Sequence, residues 1–194
     1  MLKEDLMEKL SKFVEFVSGS PQSRLFVSMN ESDPSYCIYG QSELKADLVQ
    51  SETASNEGRQ IRTPDKVMIL SEGDIIFNLV SGEASVVGKK HVGYLQTQNF
   101  IKLIPNQDLD THYLVFLLNQ DHNIKRQLVS SLQGTMVIKY TLAQLKALRI
   151  NKLPPIDEQR LIGRMYFNQI RLNWFRKQSA DLKLKIAMNQ LRKD

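Results

Sequence analysis

The chain has 194 residues, of which 42% are hydrophobic and 24% are charged, and it carries a formal net charge of +5. This composition is ordinary for a globular protein, and the length allows one sizeable core with an extension. No apolar run is long enough to cross a bilayer, the first ten residues are too acidic for a signal peptide, and the single cysteine, Cys37, excludes an internal disulfide. We therefore expect a cytoplasmic protein.

The N-terminal segment has the periodicity of a short amphipathic helix. Leu2, Leu6, Leu10 and Val14 recur every four residues, which places them on one helical face. The sequence Ser-Gly-Ser-Pro at 18–21 then ends the pattern. A helix is therefore predicted over residues 1–17.

Short strands separated by turns are predicted next. Turn signals such as Ser-Glu-Gly-Asp at 71–74 and Ser-Gly-Glu at 81–83 punctuate short apolar runs. The polar stretch 51–62 has no core-forming period and is predicted to be an exposed loop. The predicted strands are 23–28, 36–39, 67–70, 75–80, 84–87 and 99–104, with a basic turn at 88–91.

Helices are predicted after the strands, at 110–118, 123–132 and 141–148, with one more strand at 136–140. The last of these helices begins at Thr141, whose side chain suits an N-cap. The expected fold class is α+β: a small mixed α/β domain with several short strands over residues 1–152, followed by a long C-terminal coiled-coil helix over residues 153–194.

The long helix is predicted from residue 156 to residue 192. Pro154 and Pro155 cannot lie inside a helix. Asp157 and Glu158 suit its first turn, because carboxylates are favoured at the positive end of the helix dipole. Such a helix would be about 55 Å long, longer than a compact domain of this size needs.

Two apolar lines run along this predicted helix. A glycine within it, Gly163, costs about 1 kcal/mol against alanine and is expected to mark the close approach of another backbone. The first line has heptad spacing and indicates pairing with a second helix; it consists of Leu161, Met165, Leu172, Phe175, Leu182 and Ile186. The second line indicates a further neighbour and consists of Tyr166, Ile170, Trp174, Leu184, Met188 and Leu191.

Charge divides the chain in the same place. Residues 157–194 contain nine Lys/Arg and four Asp/Glu, which gives this segment a net charge of nine minus four, or +5. This equals the net charge of the whole chain, so residues 1–156 are neutral overall. Most of these charges are interpreted as the solvated flank of a coiled coil. A helix this basic would repel a parallel copy of itself, which favours antiparallel pairing or an acidic partner.

Signals for catalysis are weak. The histidines at 91, 112 and 122 and the cysteine at 37 do not have metal-ligand spacing. The sequence Asp-Pro-Ser-Tyr at 33–36 differs by one residue from a motif of amino-methyltransferases, but no Gly-rich strand–turn–helix for a cofactor accompanies it. We therefore expect neither enzymatic activity nor a cofactor.

The order of several short motifs resembles the DNA specificity subunits of type I restriction–modification systems. The segment 13–21 is similar to the opening of these subunits, although it lacks their usual Trp. The segment 70–77, Leu-Ser-Glu-Gly-Asp-Ile-Ile-Phe, is similar to a hairpin of their target recognition domain. The most specific block is 142–150 followed by Leu-Pro-Pro-Ile-Asp-Glu-Gln at 153–159, which resembles the junction into their spacer helix. Family members contain two such units in tandem, and this chain contains one.

The resemblance implies a non-catalytic subunit. Residues 1–152 would be a target recognition domain that reads one half-site of a bipartite DNA sequence. The spacer helix would set the distance between half-sites by pairing with a second helix, either in a homodimer or with another half-specificity subunit. The implied partners are double-stranded DNA, a methyltransferase (modification) subunit that uses S-adenosylmethionine and, where present, a restriction subunit, and no membrane.

Polar and basic loop residues are the candidates for DNA contact under this resemblance, because such groups read bases and bind phosphates. Two adjacent lysines in the basic turn suit phosphate better than base edges. The candidates are Arg59, Ser81, Lys89, Lys90, His91, Tyr94, Gln133, Thr135 and Lys139.

A second interpretation is a coiled-coil adaptor whose globular domain binds another protein. The neutral charge of residues 1–156 supports it, because most free-standing DNA-binding domains are basic. An enzyme ranks third.

Overall fold

The computed structural model describes residues 7–51, 58–131 and 139–191. Within these ranges the chain forms short strands followed by helices, the last of which is long. The strands are β1 (Met7–Lys9), β2 (Val14–Ser18), β3 (Ser35–Cys37), β4 (Gln60–Arg62), β5 (Ile75–Asn78), β6 (Ala84–Val86), β7 (Phe100–Pro105) and β8 (Arg149–Asn151). The helices are α1 (Gln41–Leu48), α2 (Thr111–Gln120), α3 (His122–Ser131), α4 (Leu142–Ala147) and α5 (Ile156–Leu191). The expected α+β class is confirmed, and we call the described chain before α5 the head.

A four-stranded antiparallel sheet with the order β2-β7-β5-β6 lies at the centre of the head. Ile75 and Phe77 point to one side of the sheet and Ile76 to the other, since side chains alternate along a strand. Both sides are covered, which explains why the first three residues of β5 are all apolar.

The two sides of the sheet carry different layers. On one side α2, α3, α4 and the first turns of α5 enclose the larger core, which includes Leu114, Leu118, Leu145 and Phe167. On the other side loops and α1 enclose a smaller core. Its buried members are Tyr39, Leu44, Leu70, Ile76, Val87 and Phe100.

The predicted N-terminal helix is wrong for the described part of its range. Residues 7–17 instead form β1, a 3-10 turn at Leu10–Lys12, and most of β2. β1 pairs with β8, and β2 pairs with β7 along its whole length. These distant pairings override a local period of four, and β-branched and aromatic residues in β2 suit a strand. Residues 1–6 lie outside the described chain.

The other predicted elements are partly confirmed. β5, β6 and β7 lie where strands were predicted, and β3 overlaps the predicted strand at 36–39. The strand predicted at 67–70 is wrong, because only Ile69 forms an isolated bridge there, and β4 lies within the stretch 51–62 that was predicted to be a loop. The strand predicted at 23–28 is wrong: Gln22–Arg24 is a 3-10 turn, followed by irregular chain held to β4 by a bond from the Ser28 N–H to the Arg62 carbonyl. The strand predicted at 136–140 lies mostly outside the described residues.

The helices after the sheet follow their sequence signals. The Asp110 carboxylate caps α2 by accepting the N–H groups of His112 and Tyr113, each at 3.0 Å. The Thr141 hydroxyl caps α4 by accepting the Gln144 N–H.

The 36 residues of α5 begin directly after Pro155, as predicted, and extend for about 54 Å. Its first half packs on the head through Gln159, Gly163 and Phe167, which are buried. From Phe175 to Leu191 every residue is exposed, and this part of the helix is about 25 Å long. The core therefore continues past residue 152 into the first half of α5.

Candidate nucleic-acid interface

A cleft of about 480 Å³ opens on the loop side of the sheet, where β5 ends and β7 begins. Antiparallel pairing brings Asn78, the last residue of β5, opposite Phe100, and Asn99 immediately precedes Phe100. The start of α1 supplies Gln41, and the chain before β4 supplies Arg59. Amide side chains from separate segments therefore meet in one place, which we call the amide cleft.

The amides in this cleft are held by hydrogen bonds to neighbouring side chains. The Asn78 Nδ2 donates to the Gln41 Oε1 at 2.5 Å, and the Gln41 Nε2 donates to the Glu83 Oε2 at 2.6 Å. The Lys139 Nζ donates to the Asn99 Oδ1 at 2.6 Å. These bonds orient the amides before any ligand arrives. Asn and Gln amides in fixed orientation are suited to reading base edges.

A buried hydrogen-bond network supports the floor of the amide cleft. The Asp47 carboxylate accepts from the Tyr39 hydroxyl at 2.8 Å and the Gly88 N–H at 3.1 Å, and it lies 2.8 Å from the His91 Nδ1. Burial, reinforced by the negative charge of Asp47, raises the pKa of Tyr39 far above its usual value. Tyr39 therefore remains a neutral donor that fixes Asp47.

The predicted DNA-contacting residues do not form one group in the structure. Arg59 is exposed at the amide cleft, and Lys139 reaches the same cleft through Asn99. Ser81 is exposed in the turn after β5, beside a second pocket between that turn and α5. Lys89 and Lys90 are exposed in a 3-10 turn at Lys89–His91, beside a third pocket that also contains Glu72 and His112.

His91 and Tyr94 take part in the packing of the head. His91 is only 3% exposed and bonds to Asp47. Unlike the exposed lysines beside it, His91 cannot reach DNA without leaving the core. Tyr94 is half-buried, packs edge-on against His91, and bonds to Cys37; burial raises the pKa of its phenol. Gln133 and Thr135 lie outside the described residues.

Sequence reasoning did not select Gln22, Gln41, Asn78 or Asn99, which all line the amide cleft. Asn78 and Asn99 stand at the ends of strands whose positions were predicted, and this was the available signal. Gln41 could not be placed because α1 was not predicted: its eight residues carry only Leu44 and Leu48 as large apolar side chains.

The predicted coiled-coil residues lie on a face of α5 that the described chain leaves uncovered. Their exposed fractions range from 44 to 63%, and the face lies opposite Gly163 and Phe167, which pack on the head. We call this face the seam. The second apolar line divides: Tyr166, Ile170 and Trp174 lie against the head, whereas its distal members are exposed. The seam consists of Leu161, Met165, Leu172, Phe175, Leu182 and Ile186.

The described residues hold no cluster of three or more His, Cys, Asp or Glu side chains that could bind a metal ion. None of the helices in the described ranges combines the length and apolarity needed to cross a bilayer.

Three solved structures resemble the fold. An HsdS subunit from Thermoanaerobacter tengcongensis has 19% identity and a TM-score of 0.52, with 92% of this chain and 39% of that chain covered. The S subunit of a type I restriction–modification system from M. genitalium has 15% identity and a TM-score of 0.52, with 98% and 44% covered. A chain from a structure of the assembly and conformational transition of the type I R-M system has 19% identity and a TM-score of 0.59, with 95% and 43% covered. The chain thus spans about two-fifths of their length.

The sequence comparisons identify the family. No curated protein matches the chain. The sequence model of the type I restriction modification DNA specificity domain matches residues 34–178, which include most of the head and the part of α5 that packs on it. The chain therefore belongs to the family of type I restriction–modification DNA specificity domains.

Proposed function

We propose that the chain is a DNA recognition subunit of a type I restriction–modification complex, in which it reads one half-site of a bipartite target. The observation that carries this proposal is the family match over residues 34–178, because it covers most of the head and the part of α5 that packs on it. Because the proposed ligand is DNA, we place the chain in the cytoplasm.

In this proposal, bases are read at the amide cleft. Arg59 is exposed there, and a guanidinium can bond to the O6 and N7 of guanine. Asn99 donates and accepts hydrogen bonds through one planar group, as recognition of adenine requires. Lys89 and Lys90, which lie outside the amide cleft, bind phosphate and add affinity without sequence preference.

The seam pairs α5 with a second helix, from another copy of this chain or from another specificity segment. Six large apolar side chains at heptad spacing are exposed on one face, and covering them removes apolar surface from water. The basic charge of the helix favours the antiparallel arrangement. Two heads would then face the DNA at opposite ends of the helix pair.

The family is non-catalytic, so methylation and any cleavage belong to partner subunits: a methyltransferase and, where present, a restriction subunit. Residues 1–156 are neutral overall. In a recognition subunit, the partner subunits would compensate for this lack of positive charge. The neutral charge also fits an adaptor that binds protein alone. Binding of the full chain to duplexes, with and without the methyltransferase, separates the two functions. Salt-dependent, sequence-dependent binding that strengthens with the methyltransferase supports the recognition subunit, whereas salt-independent binding to protein only supports the adaptor.

A further inference from the structure

We propose that Gln159 and Gly163 fix the angle at which α5 leaves the head, and that this angle determines which spacing between DNA half-sites the complex accepts. The part that concerns DNA rests on the proposed function. The part that concerns the angle rests only on the contacts that α5 makes with α2 and with the chain before each of these two helices.

The first half of α5 runs alongside α2 in the same direction. Gln159 meets the residue before α2, and Gly163 meets the first turn of α2. Tyr166 packs edge-on against Phe116 and lies beside Asn119 and Gln120 at the end of α2. Contacts at both ends of α2 define one angle between the two helices.

Gln159 joins three segments through one buried side chain. Its Oε1 accepts the Asp110 N–H at 2.9 Å, and its Nε2 donates to the carbonyls of Asp108 at 3.0 Å and Pro154 at 2.9 Å. Gln159 is only 1% exposed, and both of its amide hydrogens are used. A rotation of α5 would break these bonds in a place that water does not reach.

Gly163 sets how closely the two helices approach. A Cβ added at Gly163 would lie 2.7 Å from the Cβ of His112 and 2.8 Å from the backbone nitrogen of Tyr113. Two of the three nearest atoms belong to the backbone of α2, so a larger residue must displace the whole helix. One turn further on, Phe167 packs edge-on against His112 with ring centroids 4.8 Å apart.

The length of α5 converts a small change of this angle into a large displacement. Leu191 lies 28 residues beyond Gly163 (191 minus 163), which is about 42 Å along the helix. A rotation of about 10° at Gly163 would move the far end by about 7 Å, or about two base pairs of B-DNA. The contact between α5 and α2 therefore has enough leverage to select one spacing.

The angle is tested by spin-label distances in the full chain. Labels at Glu72→Cys in the head and Lys185→Cys in distal α5 are introduced with Cys37→Ser, and the labelled chain is diluted with unlabelled chain. The native contact is expected to give one narrow distance distribution, and Gln159→Met and Gly163→Ala are expected to broaden or shift it. Arg164→Ala, an exposed neighbour, should leave it unchanged. Native distributions in both variants would overturn the proposal. Unfolding of both variants, with Arg164→Ala folded, would also overturn it, because the contact would then serve folding only.

The DNA consequence is tested with the methyltransferase present. Duplexes carry the two selected half-sites at spacings that vary by single base pairs. The native chain and Arg164→Ala should enrich one spacing, and the two variants should enrich several spacings or a different one, with the same half-site bases. An unchanged single spacing in both variants would overturn the link to spacing. If the native chain enriches no duplex, the proposed function fails, while the spin-label distances still decide the positioning role.

Discussion

The side-chain amide of Asn119 pairs with the backbone of Ala84 as a neighbouring strand would. Its Nδ2 donates to the Ala84 carbonyl and its Oδ1 accepts the Ala84 N–H, both at 2.8 Å. Ala84 belongs to β6, the edge strand of the central sheet, and is fully buried. Asn119 of α2 thereby satisfies the backbone hydrogen-bonding groups of Ala84 at the edge of the sheet, and it joins the helical layer to the sheet.

Replacement of this amide should destabilise the head. Asn119→Ala leaves the N–H and carbonyl of Ala84 buried without partners, so we expect the free energy of unfolding to fall by about 2–4 kcal/mol. Asn168→Ala, an exposed position of α5, is the matched control and should cost less than about 0.5 kcal/mol. Urea unfolding of both variants measures the difference, and equal stabilities would contradict the role of Asn119.

Sequence patterns predicted the parts of the fold that local chemistry determines. Pro155 and the acids after it fixed the start of α5, Asp110 and Thr141 marked helix caps, and Gly163 indicated the close approach that α2 provides. The exposed seam also follows from heptad spacing alone.

Distant pairing accounts for the parts that were missed. Leu10 and Val14 fit a helical period, but their partners are far along the chain: the Leu10 N–H donates to the Leu148 carbonyl, and Val14 pairs with β7. Likewise, Asn78 and Gln41 become neighbours only through folding, 37 residues apart. His91 was predicted to contact DNA because it lies in a charged turn, but its bond to Asp47, 44 residues away, keeps it in the core.

Charges placed on the seam should abolish helix pairing. Leu172→Asp with Leu182→Asp would bury two unpaired carboxylates in the interface, and we expect the mass in solution to fall to that of one chain. Asn173→Asp with Gln178→Asp adds the same charge at exposed positions off the seam and should preserve pairing. Sedimentation measures the mass, and an unchanged assembly in the seam variant would contradict this role.

The amide cleft and the basic turn should contribute differently to DNA binding. Lys89→Ala with Lys90→Ala should weaken binding to all duplexes and reduce the slope of log K against log salt by about two, because two phosphate contacts are lost. Arg59→Ala should instead relax the preference at one base position, at a cost of about 1–3 kcal/mol. Fluorescence titrations against matched and mismatched duplexes separate the two effects. A uniform loss with Arg59→Ala would contradict base reading at the amide cleft.

Tyr39 should make stability depend on pH in the alkaline range. Its pKa is raised by burial first and by Asp47 second, so the folded chain keeps a proton that the unfolded chain loses above pH of about 10. The contribution of Tyr39 to the free energy of unfolding is therefore complete below pH 10. Above that pH it should decline by about 1.4 kcal/mol per pH unit. Tyr39→Phe should remove this decline, with Tyr36→Phe on β3 as control. Identical alkaline slopes in urea unfolding of the native chain and Tyr39→Phe would refute the prediction.

Selection from randomised duplexes, using the full chain together with its methyltransferase, tests the central claim most directly. Two heads on antiparallel helices are related by a twofold axis, so a homodimer should enrich an interrupted palindrome. Its gap should not exceed about 16 base pairs, the length of one helix at 3.4 Å per base pair. An asymmetric bipartite consensus would show pairing with a different specificity segment. Enrichment of no consensus, or of one without a gap, would contradict the account.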